Sequence, residues 1–208
     1  KVRVKAASRT DSGVHAKGQV VVFSTSSSMS TESVVRGLNH YLTEDIAVRS
    51  AYCVADDFDV RRNAVSREYR YQILNRPTRS PLWRRWAHTV TGRLDVQAMD
   101  HACQSLVGEH DFAAFTWPEA GKSTVRRVLR AEVARKGDMV TFDVEASSFL
   151  PHQVRNTVGP LIRVGLGRMG AESFHELVAS AEAGAAWPAA PACGLCLMEV
   201  KYPTPWPM

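Results

Sequence analysis

The segment Arg67-Glu-Tyr-Arg-Tyr-Gln-Ile-Leu74 alternates bulky apolar with polar side chains at a period close to two. Only an extended strand sends every second side chain to one face, so Tyr69, Tyr71 and Ile73 are predicted to share one face of a strand. Met139 to Ala146 repeats the pattern, with Val140, Phe142, Val144 and Ala146 as its inward set. Strands this long need a sheet to lie in, and helical segments to cover its apolar face.

Strand and helix patterns are interleaved along the rest of the chain. Residues 1–7 and 18–25 alternate as strands. Ser30 predicts the cap of a helix whose apolar face is Val34, Val35, Leu38, Tyr41 and Leu42. A strand pattern follows from Ile46 to Val54. The polar, Arg-rich stretch from Asp56 to Ser66 has no period, which places a junction there. An N-terminal subdomain, 1–60, and a C-terminal subdomain, 61–208, are expected on its two sides. Asp95 and Gly108 read as cap and stop of a helix carrying Val96, Met99, Cys103, Leu106 and Val107. Strands are predicted over Val125–Val133 and Met139–Ala146, and a last one over Gly194–Tyr202. A helix is expected from Pro151, with Val154, Val158, Leu161 and Ile162 inward and a kink or early end at Pro160, and a short one over 172–183. The order predicts an α+β fold with a mainly antiparallel sheet.

The formal net charge of +5 and pI near 9.2 suit a polyanionic partner without requiring one. The four cysteines are too few and too unevenly placed for a disulfide framework, so they read as reduced and the chain as cytoplasmic. No apolar run is long enough to span a membrane. The sequence opens directly into a strand pattern without a Met, as a piece of a longer chain would.

Several residues could carry chemistry. The connection Ser8-Arg-Thr-Asp-Ser-Gly-Val-His-Ala16 is longer than a hairpin needs. Asp11 before Ser-Gly is commonplace in turns. With Arg9 on its side of an extended chain, its carboxylate would instead stay ionised and available as a nucleophile. Tyr69 could be a core packer or, at a strand end, a platform on which a nucleobase stacks. Arg155 lies in the first turn of the helix opened by FLPHQVRN, where anions are favoured. His152 and Asn156 flank it. Gly165-Leu-Gly-Arg-Met-Gly170 matches a dinucleotide-binding pattern in letters, but it closes a helix instead of leaving a strand, so it reads as a helix stop. Cys193-Gly-Leu-Cys196 enters a strand, the wrong setting for a redox pair, and has no second pair for zinc. The seven histidines show no metal-ligand spacing.

Taken together and in order, SRTDSGVHAKGQVVVF, LNHYLTEDIAV, SREYRYQI, GEHDFAAF, FLPHQVRNTVGPLIRVG and GLCLMEVKYP resemble the TruA-type tRNA pseudouridine synthases, from about Ser8 to Pro203. The resemblance implies the pseudouridine synthase fold: two ferredoxin-like α/β subdomains sharing a mainly antiparallel sheet, with a basic cleft between them. It implies a homodimeric isomerase that converts uridines of the tRNA anticodon stem-loop to pseudouridine without cofactor or metal. By position, Asp11 matches the essential aspartate and Tyr69 the tyrosine against the target base. Arg155 matches the arginine paired with the aspartate, and Arg9 the motif arginine that positions RNA. Leu195, or its neighbour Leu197, matches the aliphatic residue of the base pocket. Ser8 and Ser12 replace a usual Gly and Ala, Pro151 a bulkier residue, and FDVRRNA departs from the family pattern. The family's first strand and helix would precede this sequence, leaving the first subdomain incomplete. The aspartate could attack the sugar C1′, add to the ring or remove a sugar proton. Two other readings compete: a non-catalytic RNA-binding fragment of such an enzyme, and, on the glycine pattern alone, a nucleotide-cofactor oxidoreductase.

Overall fold

The computed structural model describes residues 2–203. Its centre is a seven-stranded sheet. In chain order the strands are β1 (Lys5–Ala6), β2 (His15–Ala16), β3 (Val21–Val22), β4 (Ser66–Asn75), β5 (His88–Val90), β6 (Gly108–Asp111), β7 (Val125–Lys136), β8 (Met139–Ala146) and β9 (Leu195–Lys201). The helices are α1 (Thr31–Tyr41), α2 (Val96–Cys103), α3 (Gln153–Gly165) and α4 (Ala171–Ala179). The sheet runs β2-β9-β4-β8-β7-β6, with β5 beside β4. All pairs are antiparallel except β2 with β9 and β4 with β5.

β4 is the middle strand, and its alternation is what the sheet requires. Tyr71 and Ile73 are fully buried, facing Phe142 and Val140 of β8 in register. α2 packs on β7, and α3 and α4 pack on α2. These helices cover one face with Met99, Val158, Leu161 and Phe174, all without solvent contact. Burying a side chain of this size stabilises by roughly 1.5–3 kcal/mol. Asp95 caps α2 as expected, accepting from the Ala98 amide. That helix ends at Cys103, and a 3₁₀ turn over Gln104–Leu106 leads to Gly108, which begins β6 instead of closing a long helix.

Several expected boundaries move. Instead of starting at Pro151, α3 starts at Gln153 and runs unbroken through Pro160, whose ring is buried in the core. The glycine pattern is a helix stop: the Gly167 amide donates to Val164 O at 2.9 Å and the Arg168 amide to Arg163 O at 2.8 Å, with Gly167 at φ +68°. That is the paired closure of a Schellman motif, and no strand leads into it. α4 covers 171–179, not 172–183.

The larger differences lie in the first sixty residues. Only Lys5–Ala6 and Val21–Val22 of the two expected strands pair, as a separate two-stranded ribbon. Val2, Val4 and Val21 are more than half exposed. Residues 46–54 form no strand. The Asn39 side chain supplies both hydrogen bonds to the Val48 backbone, at 2.8 and 2.7 Å, that a ladder would otherwise supply. α1 forms with Ser30 as its cap, but its apolar face is only half-buried and Tyr41 is exposed. No helix is long and apolar enough to cross a membrane among the described residues.

Candidate active site

The long connection after β1 is an arch pinned at both feet. At the first foot the Gln19 side-chain amide pairs with the Ser8 backbone, donating to its carbonyl at 2.9 Å and accepting from its amide at 3.3 Å. The Ser8 hydroxyl also meets the Tyr69 hydroxyl at 2.8 Å. At the second foot the Lys17 amide donates to Leu197 O at 2.8 Å, continuing the β2–β9 pairing. Gly18 is required here, since any Cβ would collide with the Met198 carbonyl. Between the feet the chain turns at Asp11–Val14, closed by the Val14 amide on Asp11 O at 3.0 Å, with Gly13 at φ +83° as a type II turn demands at that place. Asp11 thus sits on an arch anchored on β4 and β9.

Its carboxylate meets α3. Arg155 Nη1 donates to Asp11 Oδ2 at 2.8 Å, and its Nε donates to Ala190 O at 2.7 Å. The guanidinium is therefore held at two edges, its side chain 18% exposed. His152 Nδ1 lies 2.9 Å from the same Oδ2. His152 occupies the cap position of α3 in the left-handed region, at φ 59°. For a residue with a Cβ this costs about 1–2 kcal/mol. Neighbours hold the corner: the Thr116 hydroxyl donates to Pro151 O at 2.9 Å, and the Gln153 carboxamide accepts from the Leu150 amide at 2.8 Å. His152 makes no capping bond to its own helix, and its ring turns to Asp11 instead.

Asp11 and Arg155, 144 residues apart in sequence, are thus in direct contact. Arg9 is exposed, and Asp11's guanidinium partner is Arg155 instead. Tyr69 is 5% exposed, its ring edge-on to Phe149 with centroids 5.2 Å apart. Burial pushes its phenol above the ordinary value of 10, against the lowering effect of the Ser8 bond. Leu195 stands opposite Tyr71 and Leu197 opposite Tyr69, both buried. Asn156 is a core residue, 2% exposed, donating to Phe115 O at 2.7 Å.

The tethers were not singled out from sequence: Ser8 and Gln19 at the arch, Thr116 under the α3 corner, and the segment before β9. That segment is fixed by the Tyr71 hydroxyl, which donates to Pro191 O at 2.7 Å. The only signal for them was their place inside or beside the motifs. His15, four residues past Asp11, stacks on Trp86 at 4.3 Å, tying the Arg- and Trp-rich loop 76–87 to the arch. Cys193 and Cys196 are free, in a 3₁₀ turn and in β9 respectively.

The mixed α+β architecture, an open, mainly antiparallel sheet covered by helices, is that of the pseudouridine synthase fold to which the following family match assigns this chain. A sequence profile of the tRNA pseudouridine synthases matches residues 1–62 and 102–203. The chain is 48% identical over 207 residues to a tRNA pseudouridine synthase A of Roseiflexus castenholzii, covering 97% of this chain and 76% of that protein. It is 45% identical over 204 residues to one of Myxococcus xanthus, covering 97% and 77%. A relative of the same description from Geobacter sulfurreducens is 42% identical over 202 residues, covering 97% and 83%. The chain belongs to the tRNA pseudouridine synthase family, a family of isomerases.

Proposed function

We propose that this protein isomerises uridine to pseudouridine in the anticodon stem-loop of tRNA, with Asp11 as its nucleophile. Tyr69, Arg155, Arg9 and Leu195 are the proposed substrate-binding residues. The observation that carries the reading is the carboxylate of Asp11, lifted on a pinned arch and bonded to Arg155 at 2.8 Å. A protein that only gripped anionic RNA would gain nothing by presenting a carboxylate to it.

The reaction exchanges the bond from C1′ to N1 of uracil for one from C1′ to C5. The C5 hydrogen leaves as a proton and N1 ends protonated, so the exchange needs no electron acceptor. Inside a stacked helix the glycosidic bond is out of reach, so the target nucleotide swings out. Asp11 then opens the glycosidic bond while Arg155 holds the carboxylate in place. Leu195 and the edge of Tyr69 wall the detached base as it rotates. With its phenol raised by burial, Tyr69 stays protonated and keeps its bond to Ser8. Exposed Arg9 meets the backbone beside the flipped nucleotide, and the net charge of +5 favours the polyanion. The reading includes a cytoplasmic homodimer built from subdomains 1–60 and 61–208. The four free cysteines support a reducing compartment.

The test is to incubate an unmodified tRNA transcript with the protein and map pseudouridine by carbodiimide adducts. New adducts at anticodon-arm uridines are expected. Adducts confined to other arms would refute the target. Tight tRNA binding with no new adduct would favour the RNA-binding reading.

A further inference from the structure

Asp11 has two carboxylate oxygens, and its side-chain partners treat them differently. Arg155 Nη1 and His152 Nδ1 both converge on Oδ2, at 2.8 and 2.9 Å. Among the described residues no hydrogen bond ends on Oδ1. A carboxylate only accepts, so the His152 nitrogen facing it is the donor of that bond. The Asp11 and His152 side chains are 34% and 48% exposed, so the pair lies at the surface where a nucleoside can reach it.

From this geometry we infer that His152 is a positioning residue of the isomerase: with Arg155 it clamps Oδ2 and turns Oδ1 toward the uridine. One donor alone leaves a carboxylate free to swing about its χ2, which is a broad torsion for aspartate. Two donors on one oxygen, arriving from the side chains at the start of α3, define the plane of the group. The left-handed backbone at residue 152 belongs to the same device. It places the side chain at the cap position against the arch and not along its own helix, and strained residues held by their surroundings cluster at functional sites. The Thr116 bond to Pro151 O and the Gln153 bond to Leu150 are what hold the corner in that shape.

The inference rests on the proposed isomerase function, and two substitutions separate it from a role in folding alone. His152→Asn keeps a donor at the place of Nδ1 and tolerates left-handed backbone. His152→Gly suits the backbone better still but has no donor. Turnover is read as tritium release from tRNA labelled at uracil C5, with thermal melts alongside. The Gly variant should lose kcat about 10- to 100-fold, the scale of a misplaced reacting group, with KM for tRNA unchanged and Tm no lower than the parent's. The Asn variant should keep most of the parental kcat. A Gly variant with parental kcat, or an Asn variant as slow as the Gly one, would overturn the inference.

If the parent protein turns over no tRNA, the isomerase reading is what fails, and a second measurement decides the contact. Long-range ¹H–¹⁵N spectra should show the His152 ring protonated at Nδ1 in the parent and shifted toward the Nε2–H tautomer in Asp11→Ala. The same tautomer in both proteins would overturn the clamp.

Discussion

Replacing Arg155 by Met keeps much of the side chain's volume and removes both of its polar attachments. Two unit charges about 4 Å apart attract by about 4 kcal/mol at the effective dielectric of a protein surface. Desolvation offsets part of that. With side chains 18% and 34% exposed, solvent screens more of it, leaving a net of about 1–2 kcal/mol. The bond from Nε to Ala190 O, at 2.7 Å, is a second contribution, of about 1 kcal/mol. Arg155→Met should therefore cost about 2–3 kcal/mol, a fall in Tm of about 5–10 °C for a chain of this length. Urea melts of the parent, Arg155→Met, Asp11→Asn and the double variant separate the two contributions. The ion pair appears as a coupling of about 1–2 kcal/mol, and the Ala190 bond as the part of the Arg155 effect that survives in the Asp11→Asn background. A coupling within about 0.3 kcal/mol of zero would show that the two groups do not hold each other, and the account of how the carboxylate is fixed would fall.

Three further outcomes follow from packing and protonation. Gly18→Ala forces a methyl into the Met198 carbonyl and near Glu199 Cα. It should destabilise by about 1–3 kcal/mol in urea melts, and a variant as stable as the parent would refute the close docking of the arch on β9. Burial holds the His88 imidazole below its ordinary 6.5, so below that pH the unfolded chain takes up protons that the folded one refuses. Stability should fall as pH drops from 6.5, and His88→Gln should flatten that part of the curve. Burial pushes the Glu145 carboxyl up, but bonds from Ser66 and Lys201 outweigh it and hold the group below its ordinary 4.5. Its contribution is present above 4.5 and is lost as pH falls further, so a second decline should set in there. A profile flat from pH 7 to 4.5 would contradict the first statement, and one with no further loss between pH 4.5 and about 2 the second.

The C-terminal sheet was legible because its strands carry their own evidence: alternation in β4 and β8 states which face is apolar, and both strands find neighbours that bury it. The same signal overstated the strands in residues 1–7 and 18–25, where only Lys5–Ala6 and Val21–Val22 pair, and it misled in 46–54, where no strand forms. Alternation reports a face and not the presence of a pairing partner, and in the last of these Asn39 takes over the backbone of Val48. The α1 stripe is genuine, yet half-exposed for the same reason. At the candidate site, Asp11 and Arg155 were readable from motif letters, and the family resemblance paired them, as the 2.8 Å contact does. Residue chemistry alone favoured Arg9 by nearness in sequence, whereas the arch brings Asp11 to the start of α3. The left-handed corner at His152 and the core role of Asn156 were hidden because both depend on distant partners, Thr116 beneath Pro151 and the Phe115 carbonyl. Tyr69 likewise reads from sequence as an exposed platform or a core ring, and Phe149 closes over it.

The central claim is that the Asp11 carboxylate performs the chemistry, and tritium release from tRNA labelled at uracil C5 tests it most directly. The parent protein should release label in step with pseudouridine formed, while Asp11→Ala should release none above buffer although it still binds tRNA. Equal release from the two proteins would contradict the account.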